Sequence, residues 1–115
     1  MGSGSWMDFF ANTRRDFSEK EVAQIWKKGK MAQDRTTGTC LPDWHFDEYG
    51  ALMHYADYGN RNSEFGWEID HIDSNPSNNN INNLRPLFWR NNCARNAQFP
   101  EFYAYDSVNR QNRRR

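Results

Sequence analysis

Two short apolar runs, Trp67-Glu68-Ile69-Asp70-His71-Ile72 and Leu84-Arg85-Pro86-Leu87-Phe88-Trp89, flank a loop in which every residue from Asp73 to Asn80 is a turn former. The first run alternates apolar and polar residues over most of its length, as a half-buried strand does. The Asn, Ser, Asp and Pro side chains of the loop favour chain reversal. This stretch therefore predicts a β-hairpin. Residues 90–98 follow it without Gly or Pro and predict a short helix, although their three Asn are poor helix formers.

Upstream, Ser18-Glu19-Lys20-Glu21 has the form of a capping box ahead of Val22, Ile25 and Trp26, which predicts a helix from about Glu19 to Lys30. Trp6, Phe9 and Phe10 form a shorter apolar face before it. Gly38, Pro42 and Gly50 punctuate a stretch carrying Trp44, Phe46, Tyr49, Met53 and Tyr55, where irregular structure anchored by aromatics is expected. The tail from Ser107 to Arg115 is polar and is expected to fray. At 115 residues the chain has room for one domain. Only 37% of it is hydrophobic, but 16% is aromatic, so a small core built from large rings is feasible.

No apolar run approaches the roughly 20 residues that span a bilayer, so a membrane partner is not expected. Two cysteines, Cys40 and Cys93, allow at most one disulfide, and cannot build a four-cysteine or three-cysteine-one-histidine zinc site. A reducing cytoplasmic setting is the expectation. Met1-Gly2-Ser3-Gly4-Ser5 resembles an expression scar and is left out of the fold, and a native leader could have been lost with it. Formal net charge is zero, yet it is unevenly spread: residues 1–84 hold eight basic and thirteen acidic groups, residues 85–115 seven Arg and two acids. Arginine offers phosphate a planar bidentate fork, so Arg85, Arg90 and Arg95, with Arg110 and Arg113 to Arg115 beyond them, point to a nucleic-acid partner.

The chemistry sits in the hairpin and helix. Asp70 and His71 are adjacent on a strand and point to opposite faces. Asn92 and Asn96 stand four residues apart and share a helix face. If that helix packs on the hairpin, Asp70, Asn92 and Asn96 converge on one cation, and oxygen ligands favour Mg²⁺ or Mn²⁺ over zinc. A divalent ion beside a neutral imidazole can hydrolyse a phosphodiester, with the histidine taking a proton from water.

The block Trp67-Glu68-Ile69-Asp70-His71-Ile72, then Asn83-Leu84-Arg85-Pro86-Leu87, then Trp89-Arg90-Asn91-Asn92 with Arg95 resembles the HNH nucleases, whose ββα-metal core is a hairpin plus a helix around one divalent ion. Asp57 to Ser63, with Gly66, is similar to the lead-in of a bacterial subgroup of small HNH proteins. The resemblance implies a small α+β domain divided as 6–56, a helical and irregular extension; 57–105, the nuclease core; and 106–115, an arginine-rich tail. It implies His71 as general base, Asp70 and Asn92 as metal ligands, and Asn96 where some members have a further ligand. Asn83 would tie the loop to the histidine strand and orient His71, and Arg95 would stand near a phosphate-binding position. The implied activity is metal-dependent cleavage of DNA, with RNA as the alternative, leaving 3′-hydroxyl and 5′-phosphate ends. One site nicks one strand, so a double-strand cut would need a dimer or successive nicks. The loop lacks the Gly-Gly common in relatives, and no Cys-x-x-Cys pair flanks the core, so zinc-stapled variants are excluded.

His45 and His54 lie among aromatics and are expected to be packed rather than ligands, and Cys93 is expected to be a packed thiol. The aromatic stretch from Trp44 to Tyr58 is expected to be core. Two other functions compete: a nucleic-acid-binding module without turnover, and the effector part of a larger toxin or defence protein. Intact Asp70, His71 and Asn92 count against the first.

Overall fold

A computed structural model describes residues 17–115; Met1 to Ser5 and the apolar face expected of Trp6, Phe9 and Phe10 lie outside them. Helix α1 (Glu19–Trp26) begins with the expected capping box: the Ser18 hydroxyl accepts from the Glu21 amide at 3.1 Å, and the Glu21 carboxylate accepts from the Ser18 amide at 2.9 Å. Its buried face is Val22, Ile25 and Trp26. It ends earlier than periodicity predicts because Lys30 enters a strand, pairing with Phe46.

The stretch expected to be irregular forms an antiparallel three-stranded sheet, β1 (Lys30–Gln33), β2 (Cys40–Phe46) and β3 (Leu52–His54), in that order. The β1–β2 ladder slips between Met31, opposite His45, and Ala32, opposite Leu41. Pro42 falls in the skipped segment, where it has no N–H to give a ladder; its carbonyl accepts instead from the Trp26 indole at 3.1 Å. Gly50, at φ 95°, closes the β2–β3 turn against the Asp106 carboxylate, which a Cβ would meet at 2.9 Å.

Strands β4 (Trp67–His71) and β5 (Leu84–Phe88) make the predicted hairpin, with Asp70 opposite Arg85 and His71 opposite Leu84. Helix α2 (Trp89–Gln98) follows directly and packs on both strands. The tail does not fray. Strands β6 (Tyr103–Asp106) and β7 (Gln111–Arg114) form a second hairpin, so the boundary drawn between 105 and 106 falls inside β6. Asn91 of α2 secures this hairpin by donating to the Tyr105 carbonyl at 3.1 Å and accepting from the Tyr105 amide at 2.7 Å, as a neighbouring strand would.

Val22, Trp26, Ala51, Met53, Trp67 and Phe88 form the core, with Trp26 and Trp67 ring centroids 5.0 Å apart. The Trp26 indole reaches Pro42, and the Trp67 and Trp89 indoles likewise find carbonyls, on Tyr55 and Ser63. The result is a small α+β arrangement with two α-helices and three small sheets among the described residues. Neither helix is long and apolar enough to cross a membrane.

Candidate active site

Alternation along β4 sends Glu68 and Asp70 to one face and Trp67, Ile69 and His71 to the other. The Glu68 and Asp70 face meets α2, whose Asn92, Arg95 and Asn96 lie one turn apart. These five residues and His71 border one cleft of about 300 Å³. The hairpin and helix thus bring together all the residues expected to bind the cation, along with the expected base.

Asp70 is 3% exposed and both its oxygens are engaged. Oδ2 accepts from Arg85 Nε at 2.8 Å and Oδ1 from Arg95 Nη1 at 3.2 Å. Burial works to lower the Arg85 pKa, but hydrogen bonds to Glu48 and Asp70 more than reverse it and hold the guanidinium above its ordinary value. Arg95 also donates through Nη2 to the Ile72 carbonyl at 2.6 Å and lies 4.7 Å over the Phe99 ring. Arg85 and Arg95, expected among the nucleic-acid contacts, are drawn inward as counter-ions of the buried Asp70 carboxylate. Arg90 is exposed, over the Trp89 ring at 5.0 Å.

Glu68 was not singled out in the sequence. It is buried and receives Arg61 in a two-pronged ion pair at 2.6 and 2.9 Å, and this pairing holds the Arg61 pKa above its usual value. It also accepts from Asn92 Nδ2 at 2.9 Å, which fixes that amide's orientation. Asn92 Oδ1 accepts from Asn96 Nδ2 at 3.3 Å. A buried Glu two residues before Asp70 on the same strand face was the available signal.

His71 Nε2 lies 2.8 Å from Asn79 Oδ1. With the amide oxygen as acceptor, Nε2 carries the proton and Nδ1 keeps the lone pair. Asn79 had been read as loop only. Asn83, expected to orient His71, touches the loop instead. Its carbonyl accepts from the Ile72 amide at 2.8 Å, its Oδ1 from the Asp73 amide at 3.0 Å, and its Nδ2 donates to Asp73 and to the Asn78 carbonyl at 2.9 Å each. Asn83 thus shapes the loop, and Asn79 makes the contact to the ring.

Hard oxygens suited to a divalent cation are present, but no three His, Cys, Asp or Glu side chains cluster among the described residues. Asp70, Asn92 and Asn96 offer one carboxylate and two amides. Arg95 Nη1 lies 3.2 Å from Asp70 Oδ1 and 3.3 Å from Asn96 Oδ1, so a positive charge already stands between two of these oxygens. By type these donors suit a hard cation, and in this structure Arg95 stands in the place between two of them.

His45 is 3% exposed, stacks on Trp26 at 4.2 Å and reaches the Trp26 carbonyl through Nδ1. His54 lies against Trp44 and 3.7 Å from Asp57. Both are packed, as expected, but His45 is not fully satisfied: its Nε2 is buried without a hydrogen-bond partner among the described residues. Burial pushes the half-buried Cys93 thiol up, away from nucleophilic character.

No curated protein and no solved structure matches the chain. A family model described as HNH endonuclease matches residues 56–87, from the turn before β4 to the penultimate residue of β5; α2, with Asn92, Arg95 and Asn96, lies beyond it. The Asp70-His71 strand, its Asn-rich loop and the partner strand are thus the part of the chain that is similar to the HNH endonuclease family.

Proposed function

We propose that this protein is a metal-dependent endonuclease that nicks DNA at the cleft between β4 and α2. The supporting observation is the single cleft that joins an imidazole with Nδ1 free of its loop partner to the oxygens of Asp70, Asn92 and Asn96. Asn79 holds the Nε2 proton, so His71 Nδ1 accepts a proton from water as the water oxygen attacks phosphorus. The P–O3′ bond breaks with its electron pair leaving on O3′, which is protonated to a 3′-hydroxyl, and the 5′-phosphate stays on the other fragment. A Mg²⁺ or Mn²⁺ ion, held by Asp70, Asn92 and Asn96, would supply charge stabilisation for the leaving oxygen. Glu68 fixes the Asn92 amide, and the Asn83 bonds hold the loop that carries Asn79.

Incubating supercoiled plasmid with Mg²⁺, with EDTA, and with a His71→Ala variant tests this. The expected result is open-circular product only with wild type and metal. Nicking by His71→Ala at the wild-type rate would remove the histidine from the chemistry. Plasmid left intact but shifted on a gel by the wild type would favour a binding module. The free cysteines Cys40 and Cys93 support a reducing intracellular setting.

A further inference from the structure

Asp70 carries one negative charge and faces two guanidiniums, one from β5 and one from α2. The Arg85 and Arg95 side chains are 11% and 3% exposed, so solvent screens these pairs little. Glu68, the other carboxylate on this face, is matched by Arg61 and by the Asn92 amide. A divalent cation entering the free protein would thus meet a carboxylate already neutralised. It would also meet Arg95 Nη1 between two of its ligand oxygens, and amides for the rest. Divalent affinity follows the negative charge of the ligands, and Mg²⁺ sites with few carboxylates take substrate phosphates to complete their shell.

A phosphodiester meets the opposite situation. It brings a negative charge to a cleft lined by Arg61 and Arg95, and the planar fork of a guanidinium suits phosphate oxygens. Each phosphate oxygen that engages Arg95 withdraws that charge from Asp70 Oδ1 and Asn96 Oδ1, the atoms the cation needs.

We propose that the cleft captures its divalent cation together with duplex DNA, and that Arg95 couples the two, serving as counter-ion of Asp70 in the free protein and as phosphate partner in the complex. This rests on the nuclease reading and adds the order in which the site is filled. Coupling of this kind is reciprocal: DNA tightens the cation by the same factor by which the cation tightens DNA.

The test uses the full chain carrying His71→Ala, which keeps the duplex intact. Mn²⁺ is titrated with free ion followed by electron paramagnetic resonance, for protein alone, duplex alone and the complex, while anisotropy of a labelled duplex gives DNA affinity with and without Mn²⁺. The expected result is Mn²⁺ affinity about ten-fold or more tighter in the complex, with an equal gain in DNA affinity, within the usual range of such couplings. Adding Arg95→Gln should raise the Mn²⁺ affinity of the free protein and shrink the coupling, while Arg95→Lys, which keeps the charge, should preserve most of it. Equal Mn²⁺ affinity with and without DNA overturns the coupling and leaves the nuclease reading intact, and it is measured without any change at Arg95. Weaker free-protein Mn²⁺ binding in folded Arg95→Gln overturns the role of Arg95. No Mn²⁺ binding in either state, with plasmid untouched by wild type, overturns both.

Discussion

Asp47→Asn should cost this protein about 3 kcal/mol of stability, through a carboxylate that makes no contact with the cleft. Asp47 is 4% exposed and accepts four hydrogen bonds. Oδ1 takes the Tyr49 and Ala51 amides at 2.9 Å each, and Oδ2 takes the Phe88 amide and Asn91 Nδ2 at 3.1 Å each. The first pair closes the β2–β3 turn; the second holds the start of α2 against it. An asparagine amide has one oxygen, so in either orientation its NH₂ faces two donors that need an acceptor. A buried donor without a partner costs about 1–3 kcal/mol, so two give about 2–6 kcal/mol. Relief of the buried charge offsets part of this, since burial pushes the Asp47 carboxyl above its ordinary range despite the four donors. With a urea m-value of about 1–3 kcal/mol/M, the midpoint followed by tryptophan fluorescence should fall by about 1–3 M. The sign of the pH dependence follows from the raised pKa. On acidification the native state takes up the Asp47 proton before the unfolded chain does, so wild type gains on Asp47→Asn as pH falls through that raised value. A loss below about 1 kcal/mol, or additive effects of Asp47→Asn and Asn91→Ala in a double-mutant cycle, would refute the shared-acceptor account.

Asn79→Ala should slow plasmid nicking about ten-fold or more, as loss of a group that orients a functional side chain does, while changing the urea midpoint little; an unchanged rate would show that His71 does not need it. The Asp73 carboxyl is held below the ordinary 3.8 by the Asn78 side chain, the Asn75 amide and the Asn83 side chain. Its support of the loop is present above the unfolded value and lost as pH falls through the lowered one, so its carboxyl carbon should titrate below 3.8 by nuclear magnetic resonance, and a midpoint at or above that value would refute it. Arg90→Ala should flatten the slope of log DNA affinity against log salt by about 0.9, and replacing Arg113, Arg114 and Arg115 together by about one to three units. Arg85→Ala should leave the slope unchanged, because its guanidinium serves Asp70 and Glu48, and a flattened slope would show a phosphate contact.

What the sequence made legible was local. The capping box at Ser18 and Glu21, the alternation from Trp67, the turn-forming loop and the four-residue interval from Asn92 to Asn96 each depend on neighbours a few positions away, so spacing alone reveals them. The three-stranded sheet depends on Lys30 meeting Phe46 and Trp44 meeting His54, and Pro42 interrupts the one strand long enough to show a period. Asp47 is a polar residue before a turn until Phe88 and Asn91 arrive from 41 and 44 residues away. Charge is ambiguous for a related reason. A count of arginines after position 84 cannot tell a guanidinium facing solvent from one facing a buried carboxylate, and Asp70, 15 and 25 residues upstream, claims Arg85 and Arg95. Asn79 stood in a run where every residue had the same plain reading, and only the reach of the loop back to the imidazole separates it from its neighbours.

Among the described residues strand β7 pairs with β6 alone, and its four residues are all exposed. An edge of unpaired amides and carbonyls is a template on which a second copy can zip into a continuous sheet. Here Arg113 and Arg114 alternate along that edge, matched within the chain by Asp106 and Glu101, and Arg115 follows it, so two copies approaching edge to edge would crowd three guanidiniums from each and compete for those carboxylates. Replacing these arginines is therefore expected to change colloidal behaviour along with nucleic-acid affinity, because both draw on the same few side chains.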